Sequence, residues 1–141
     1  MDHIVYLDAC ARELDKVLDG EKTMIIRGAA GRKMPHGRLV ENDRLYFVNN
    51  DGKGMIKARG KVKSVFHSEK MDKTTSEKLV EKNMEKLRLT DQQIKRWAGK
   101  RYLVLVELEN IEPLDPFSFD KTEFSNMDDW LPVGDIEKVK L

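Results

Sequence analysis

The chain offers little for covalent or metal stapling. Cysteine occurs once, at Cys10, so no internal disulfide forms. The three histidines, His3, His36 and His67, share no metal-ligand spacing with one another or with Cys10, and neither a metal nor a cofactor is expected. No serine–histidine–aspartate or paired-carboxylate pattern has a local signature. No apolar run approaches the roughly 20 residues that span a bilayer. Residues 1–6 lack a basic stretch followed by an apolar one, so no signal peptide is expected, and the cytoplasm is the default compartment. Net charge is only +1, which argues against indiscriminate binding to polyanions. Aromatic residues make up 7% of the chain, so each large ring carries weight in the packing.

What is present describes a charge-rich folded domain. With 141 residues, 40% hydrophobic and 36% charged, the chain is long enough to bury one core without staples. The charge is unevenly spread. From Glu107 onward ten acids face three bases, a net −7, so residues 1–106 carry +8. Such asymmetry fits an anion-binding body with an acidic tail, or two halves that neutralise each other on folding.

Periodicity orders the elements. A strand over residues 4–7 precedes a helix over 9–19 with Asp8 as N-cap; Cys10, Leu14, Val17 and Leu18 share its apolar face, and Gly20 closes it. Strands follow over 23–28, 43–49 and 54–66, the last two joined by an Asn49-Asn50-Asp51-Gly52 turn. In the long strand Ile56, Ala58, Gly60, Val62, Ser64 and Phe66 face one way, and Lys57, Arg59, Lys61 and Lys63 the other. Capping boxes at Thr74/Glu77 and Thr90/Gln93 start two helices. The apolar run 102–106 is a central strand, and Pro113 and Pro116 are expected to end regular structure. Residues 117–141 are weakly periodic, but Phe117, Phe119, Phe124, Trp130 and Leu131 indicate an irregular acidic tail packed on a single domain. Three consecutive strands without an intervening helix predict an α+β fold, a small curved barrel, mainly antiparallel, flanked by helices.

The run Gly20-Glu21-Lys22-Thr23-Met24-Ile25-Ile26-Arg27 ends a helix, places a lysine in the turn and reopens as a strand bearing an arginine. It is a plausible anion-reading corner, because lysine supplies a compact charge and arginine a planar fork matched to phosphate. Arg27 could instead pair with an acid such as Asp43, and Lys22 could simply be solvated. The loop 28–38 adds glycines and the cations Arg32, Lys33 and Arg38, but it lacks P-loop spacing. The Lys57–Lys63 row recurs every ~6.8 Å, close to nucleic-acid phosphate spacing, though cross-strand pairs with Glu107 and Glu109 would also explain it. Asn49 and Asn50 offer paired donors and acceptors for a base edge. Trp130 either stacks on a base or pins the tail; Trp97 and Cys10 read as core.

The helix, then Gly20-x-Lys22-Thr23, then Arg27, then Asn42-Asp43 before a strand, resembles the ASCH domain of the PUA-like superfamily over most of residues 4–112. Asn42 stands where the family usually has glycine. The resemblance implies a PUA-like barrel with a cleft beside the Gly-x-Lys corner that binds RNA or nucleotides; the residue chemistry above makes Lys22, Arg27, Arg32, Lys33, Asn49, Asn50 and Trp130 the candidate ligand contacts. One branch of the family resembles an amidohydrolase acting on acetylated cytidine; its lysine matches Lys22, but its threonine position is Ile25 here, which cannot relay a proton. Other members are nucleases. A hydrolase acting on a modified nucleoside or RNA is thus the alternative, with Lys22, Thr23 and Glu21 as its candidate residues. A third reading is an interaction protein whose acidic tail docks on a protein partner.

Overall fold

The computed structural model describes residues 1–125 and 127–141. Its elements are β1 (Asp2–Leu7), α1 (Glu13–Leu18), β2 (Met24–Ala29), β3 (Arg44–Asn49), β4 (Met55–His67), α2 (Lys73–Lys82), α3 (Met84–Leu87), α4 (Asp91–Trp97), β5 (Tyr102–Ser118), β6 (Trp130–Gly134) and a 3₁₀ turn at Ile136–Lys138. The strands form one curled sheet in the order β2-β5-β4-β3-β1-β6, antiparallel except for β1 beside β3. No helix among the described residues is long and apolar enough to cross a membrane.

The apolar run that opens β5 explains the layering. Val104 and Val106 point into the curl, with Leu14, Val17, Ile25, Phe47 and Val62. Leu103 and Leu105 point the other way, under α2–α4, with Met24, Ile26, Val80 and Trp97. A strand covered on both faces reads as continuous hydrophobicity rather than alternation.

Several expectations change in three dimensions. β5 does not stop at Pro113 but runs through Pro116 to Ser118. Its partner β2 reaches only as far as Glu107, so beyond Leu108 β5 has β4 alone as its neighbour, and an edge strand tolerates prolines. In β4 the register shifts between Val62 and Ser64. The extra residue flips the alternation, so Val65 packs against the core while Ser64 and Phe66 are exposed. The first helix is a single short piece. Asp8 Oδ1 accepts from Ala11 N–H at 3.1 Å, holding residues 9–12 as turns, so Cys10 is exposed rather than core. At α2 the cap is Asp72, whose Oδ1 accepts from Thr75 N–H at 2.7 Å, and not Thr74; aspartate is the stronger N-cap. The Thr90/Gln93 box forms as expected.

The tail is built into the sheet. β6 pairs with β1, and the buried Asp2 carboxylate accepts from Ile136 N–H at 2.8 Å while binding Arg44 at 2.7 Å. Trp130, 2% exposed, donates from Nε1 to His3 Nδ1 at 3.1 Å, and His3 Nε2 donates to Asp43 at 3.0 Å. His3 is thereby fixed as one neutral tautomer. Burial depresses its pKa, against the pull of Asp43. A histidine depressed in the folded state binds its proton more readily when unfolded, so stability is lost as pH falls below the ordinary value of 6.5. We expect thermal melts to show a lower Tm at about pH 5.5 than at about pH 7.5, costing up to ~1.4 kcal/mol per pH unit, and expect the slope to flatten in His3→Gln. An unchanged slope in that variant would assign the titration to another group.

Candidate functional site

The strand β2 alternates like any half-covered strand: Met24 and Ile26 face the helices, and Ile25 faces the interior of the curl. Arg27 follows on the same side as Ile25. β2 and β6 are the two ends of the sheet, and among the described residues no ladder joins them. Arg27, 7% exposed, stands in that seam. Its Nη1 donates to Ile26 O at 2.8 Å and its Nη2 crosses to Tyr6 O on β1 at 2.5 Å. Its guanidinium carbon lies 5.8 Å from the ring of Trp97 and 5.7 Å from that of Trp130. Asp129 Oδ2 is 3.3 Å from Nε, near enough for an ion pair, yet Nε–H is buried without an aligned hydrogen-bond acceptor. The acid beside Arg27 is therefore Asp129 and not Asp43, which binds His3 and the N-terminal ammonium.

Outside Arg27 lies a cleft of about 160 Å³. Arg27, Lys33, Arg96 and Lys100 supply four cations, and Trp97 and Tyr102 supply two ring surfaces. Its single carboxylate is Asp129, which also sits 3.7 Å from Arg96 Nη2. Lys33 and Lys100 have no carboxylate within ion-pair distance among the described residues. Position 28 is tight, since a Cβ there would stand 2.6 Å from Leu103 Cδ2 and 3.2 Å from Lys100 Cβ, so any larger residue must move the Leu103 side chain. The loop that carries Lys33 is tied to β4 and the segment after it. His36 Nε2 donates to Ser68 O at 2.8 Å, and His67 accepts from Gly37 N–H at 3.0 Å while donating to Leu39 O.

Lys22 lies elsewhere. It is 1% exposed, and its ammonium donates to Leu87 O and pairs with Glu13 Oε2 at 3.2 Å. Glu13 in turn accepts from Asp8 N–H at 3.0 Å and from Gln93 Nε2 at 3.3 Å. Burial alone would raise the Glu13 carboxyl, but Lys22, Arg27 and the Asp8 N–H outweigh it and hold the group below the ordinary carboxylate range. Burial pushes Lys22 down, opposed by Glu13. The Gly-x-Lys corner is thus an internal ion pair behind the cleft, not an open notch. Glu21 and Thr23 are exposed and do not line the cleft, so the three residues of the hydrolase alternative do not converge on it.

The remaining candidates divide. Arg32 is exposed at the cleft rim, 3.7 Å from Glu69 and 5.7 Å from the Tyr102 ring. Asn50 lines a second cavity, of about 370 Å³, on the far side of Arg96 and Asp129, and its Oδ1 accepts from Ala9 N–H at 2.7 Å. Asn49 is half-buried at the end of β3 and does not line either cavity. Trp130 is packed behind Arg27 with its N–H satisfied. The basic row of β4 turns away from the cleft; Arg59 pairs with Glu112, and Lys61 stands opposite Glu109. The residues that sequence reasoning passed over are Arg96, Lys100, Tyr102 and Asp129. The one local signal is the pair of bases Arg96 and Lys100 around Trp97, whose expected core position the structure bears out.

Removing one member of the Lys22–Glu13 pair should strand a buried charge. We expect Lys22→Met or Glu13→Leu alone to cost about 3–5 kcal/mol in urea unfolding, and the double variant to cost clearly less than the two together. Additive costs would mean that the ion pair has no coupling.

No family model matches the sequence, and no curated protein is similar to it. Solved structures are. The crystal structure of an ASCH protein from Zymomonas mobilis superposes with a TM-score of 0.70 at 13% identity, covering 97% of this chain and 90% of that one. A point variant of the same protein gives 0.71 at 15% identity, covering 97% and 93%. At such identities the likeness concerns the backbone, and the backbone agrees over nearly the whole length. The chain therefore has the fold of these ASCH structures, a curled, mainly antiparallel α+β sheet flanked by helices.

Proposed function

We propose that the protein binds single-stranded RNA or a nucleotide in the cleft beside β2. The observation that carries this reading is the gathering of four cations and the Tyr102 ring on one opening that holds a single acid. Lys33 and Lys100, unpaired among the described residues, take backbone phosphates, while Arg27 and Arg96 fix the register. Tyr102, half-buried at the opening, offers a face on which an unstacked base rests, a sequence-tolerant contact typical of single-strand binders, while the buried Trp97 backs Arg96 and Arg27. Arg32 extends the positive rim. Lys22 serves the site indirectly, by holding Glu13 beneath Arg27. Near-zero net charge agrees with a local patch rather than a general polyanion surface. The likeness to ASCH structures supports the fold on which this reading rests.

Fluorescence anisotropy with a short single-stranded RNA tests it. Wild-type protein should bind at low salt and lose affinity linearly in log salt. Lys33→Ala and Lys100→Ala should each weaken binding and reduce the slope by about 0.7. Lys63→Ala, an exposed base outside the cleft, should change neither. Absence of binding at low salt, or equal losses in all three variants, would discard the proposal.

A further inference from the structure

Arg27 and Arg96 already hold an anion, and it belongs to the protein. Asp129 Oδ2 lies 3.3 Å from Arg27 Nε and 3.7 Å from Arg96 Nη2. The arrangement is incomplete as a hydrogen-bonded pair, because the buried Nε–H of Arg27 has no aligned acceptor. The Asp129 backbone is fixed, since its carbonyl accepts from Tyr6 N–H at 3.0 Å, so only the side chain is free to turn away. The pair is also a partition. Arg96 and Asp129 line both the 160 Å³ cleft and the 370 Å³ cavity that contains Tyr6, Asn50 and Phe124.

We propose that this partition is a selective gate for a terminal phosphate: a phosphomonoester displaces the Asp129 carboxylate from Arg27 and Arg96, whereas an internal phosphodiester does not. The inference rests on the binding reading above and names the ligand group that the site takes. A phosphodiester carries one negative charge, so exchanging it for a carboxylate leaves the charge balance between the two arginines unchanged. A terminal phosphate carries about −1.5 to −2 at neutral pH and three acceptor oxygens, enough to meet the unpartnered Nε–H of Arg27 and to engage Arg96 as well. Geometry points the same way. A cleft of 160 Å³ is below the roughly 300 Å³ of whole small-molecule sites, so it houses one end of a ligand. The adjoining cavity receives the attached sugar and base once the side chain has turned.

The test compares four probes on the intact protein: a short RNA with hydroxyls at both ends, the same RNA with a 5′-phosphate, the same RNA with a 3′-phosphate, and uridine 5′-monophosphate. At least one phosphorylated RNA should bind about tenfold or more tightly than the hydroxyl-ended one. Uridine 5′-monophosphate binding as tightly as that RNA assigns the site to free nucleotides, and weaker binding assigns it to RNA ends; either supports the gate. In Asp129→Asn the hydroxyl-ended RNA should gain several-fold and the gap should narrow, while Asp115→Asn, at an exposed acid outside both cavities, leaves the gap as in wild type. The wild-type comparison stands without any variant, and a thermal melt checks that Asp129→Asn is folded. Equal affinity for all three RNAs, or an unchanged gap in a folded Asp129→Asn, overturns the gate and leaves the binding reading intact. Failure of every probe to bind overturns both.

Discussion

A curled sheet that does not close must do something with the backbone groups along its open seam. Here Arg27 meets that demand. Its guanidinium joins the last strand on one side, through Ile26 O, to the β1 carbonyl of Tyr6 on the other. The neighbouring Tyr6 N–H is taken by Asp129 O. Two tryptophans close around the cation, Trp97 from α4 and Trp130 from β6. Because a single side chain ties four elements together, the position of the cleft and the position of the tail follow from the same contact. The cost is a buried N–H donor left without an aligned acceptor, which is uncommon away from functional places.

The acids are distributed so that burial and function do not conflict. Glu13 takes the fully buried cation, Lys22, and collects further donors from Asp8 and Gln93, as a buried charge must. Asp129 is shared between two arginines at the cleft edge, which leaves Lys33 and Lys100 unneutralised among the described residues. The strong charge asymmetry of the chain resolves in the same way. Acids from the second half meet bases from the first, as in Arg59–Glu112, Lys86–Glu107 and Arg27–Asp129. What remains is a local excess of positive charge, and it sits where the Tyr102 ring is also available.

Local chemistry made much of the fold legible. The hydrophobic run of β5, the Thr90/Gln93 box and the uninterrupted series of β-branched and apolar strands are short-range signals, and each survives in three dimensions because nothing distant opposes it. Most of the errors have distant causes, and the one at Cys10 has a local one. Pro113 and Pro116 are tolerated because β2 ends earlier than β5. The inward face of β4 changes at Val65 because one extra residue enters the ladder opposite β5. Cys10 leaves the core because Asp8 caps a turn before the helix begins.

By itself the sequence determined an α+β fold with a mainly antiparallel sheet, and that a lysine sits in the turn before β2 and an arginine within it, since these depend on periodicity and turn chemistry over a few residues. Only tertiary structure decided what those two cations do. Lys22 and Arg27 are five residues apart, yet one is sealed against Glu13 and the other faces a cleft completed by residues some 70 to 100 positions away. Solvation and pairing of a charge depend on what the rest of the chain brings beside it. No local pattern encodes that Asp129, Arg96 and Trp97 meet at the seam.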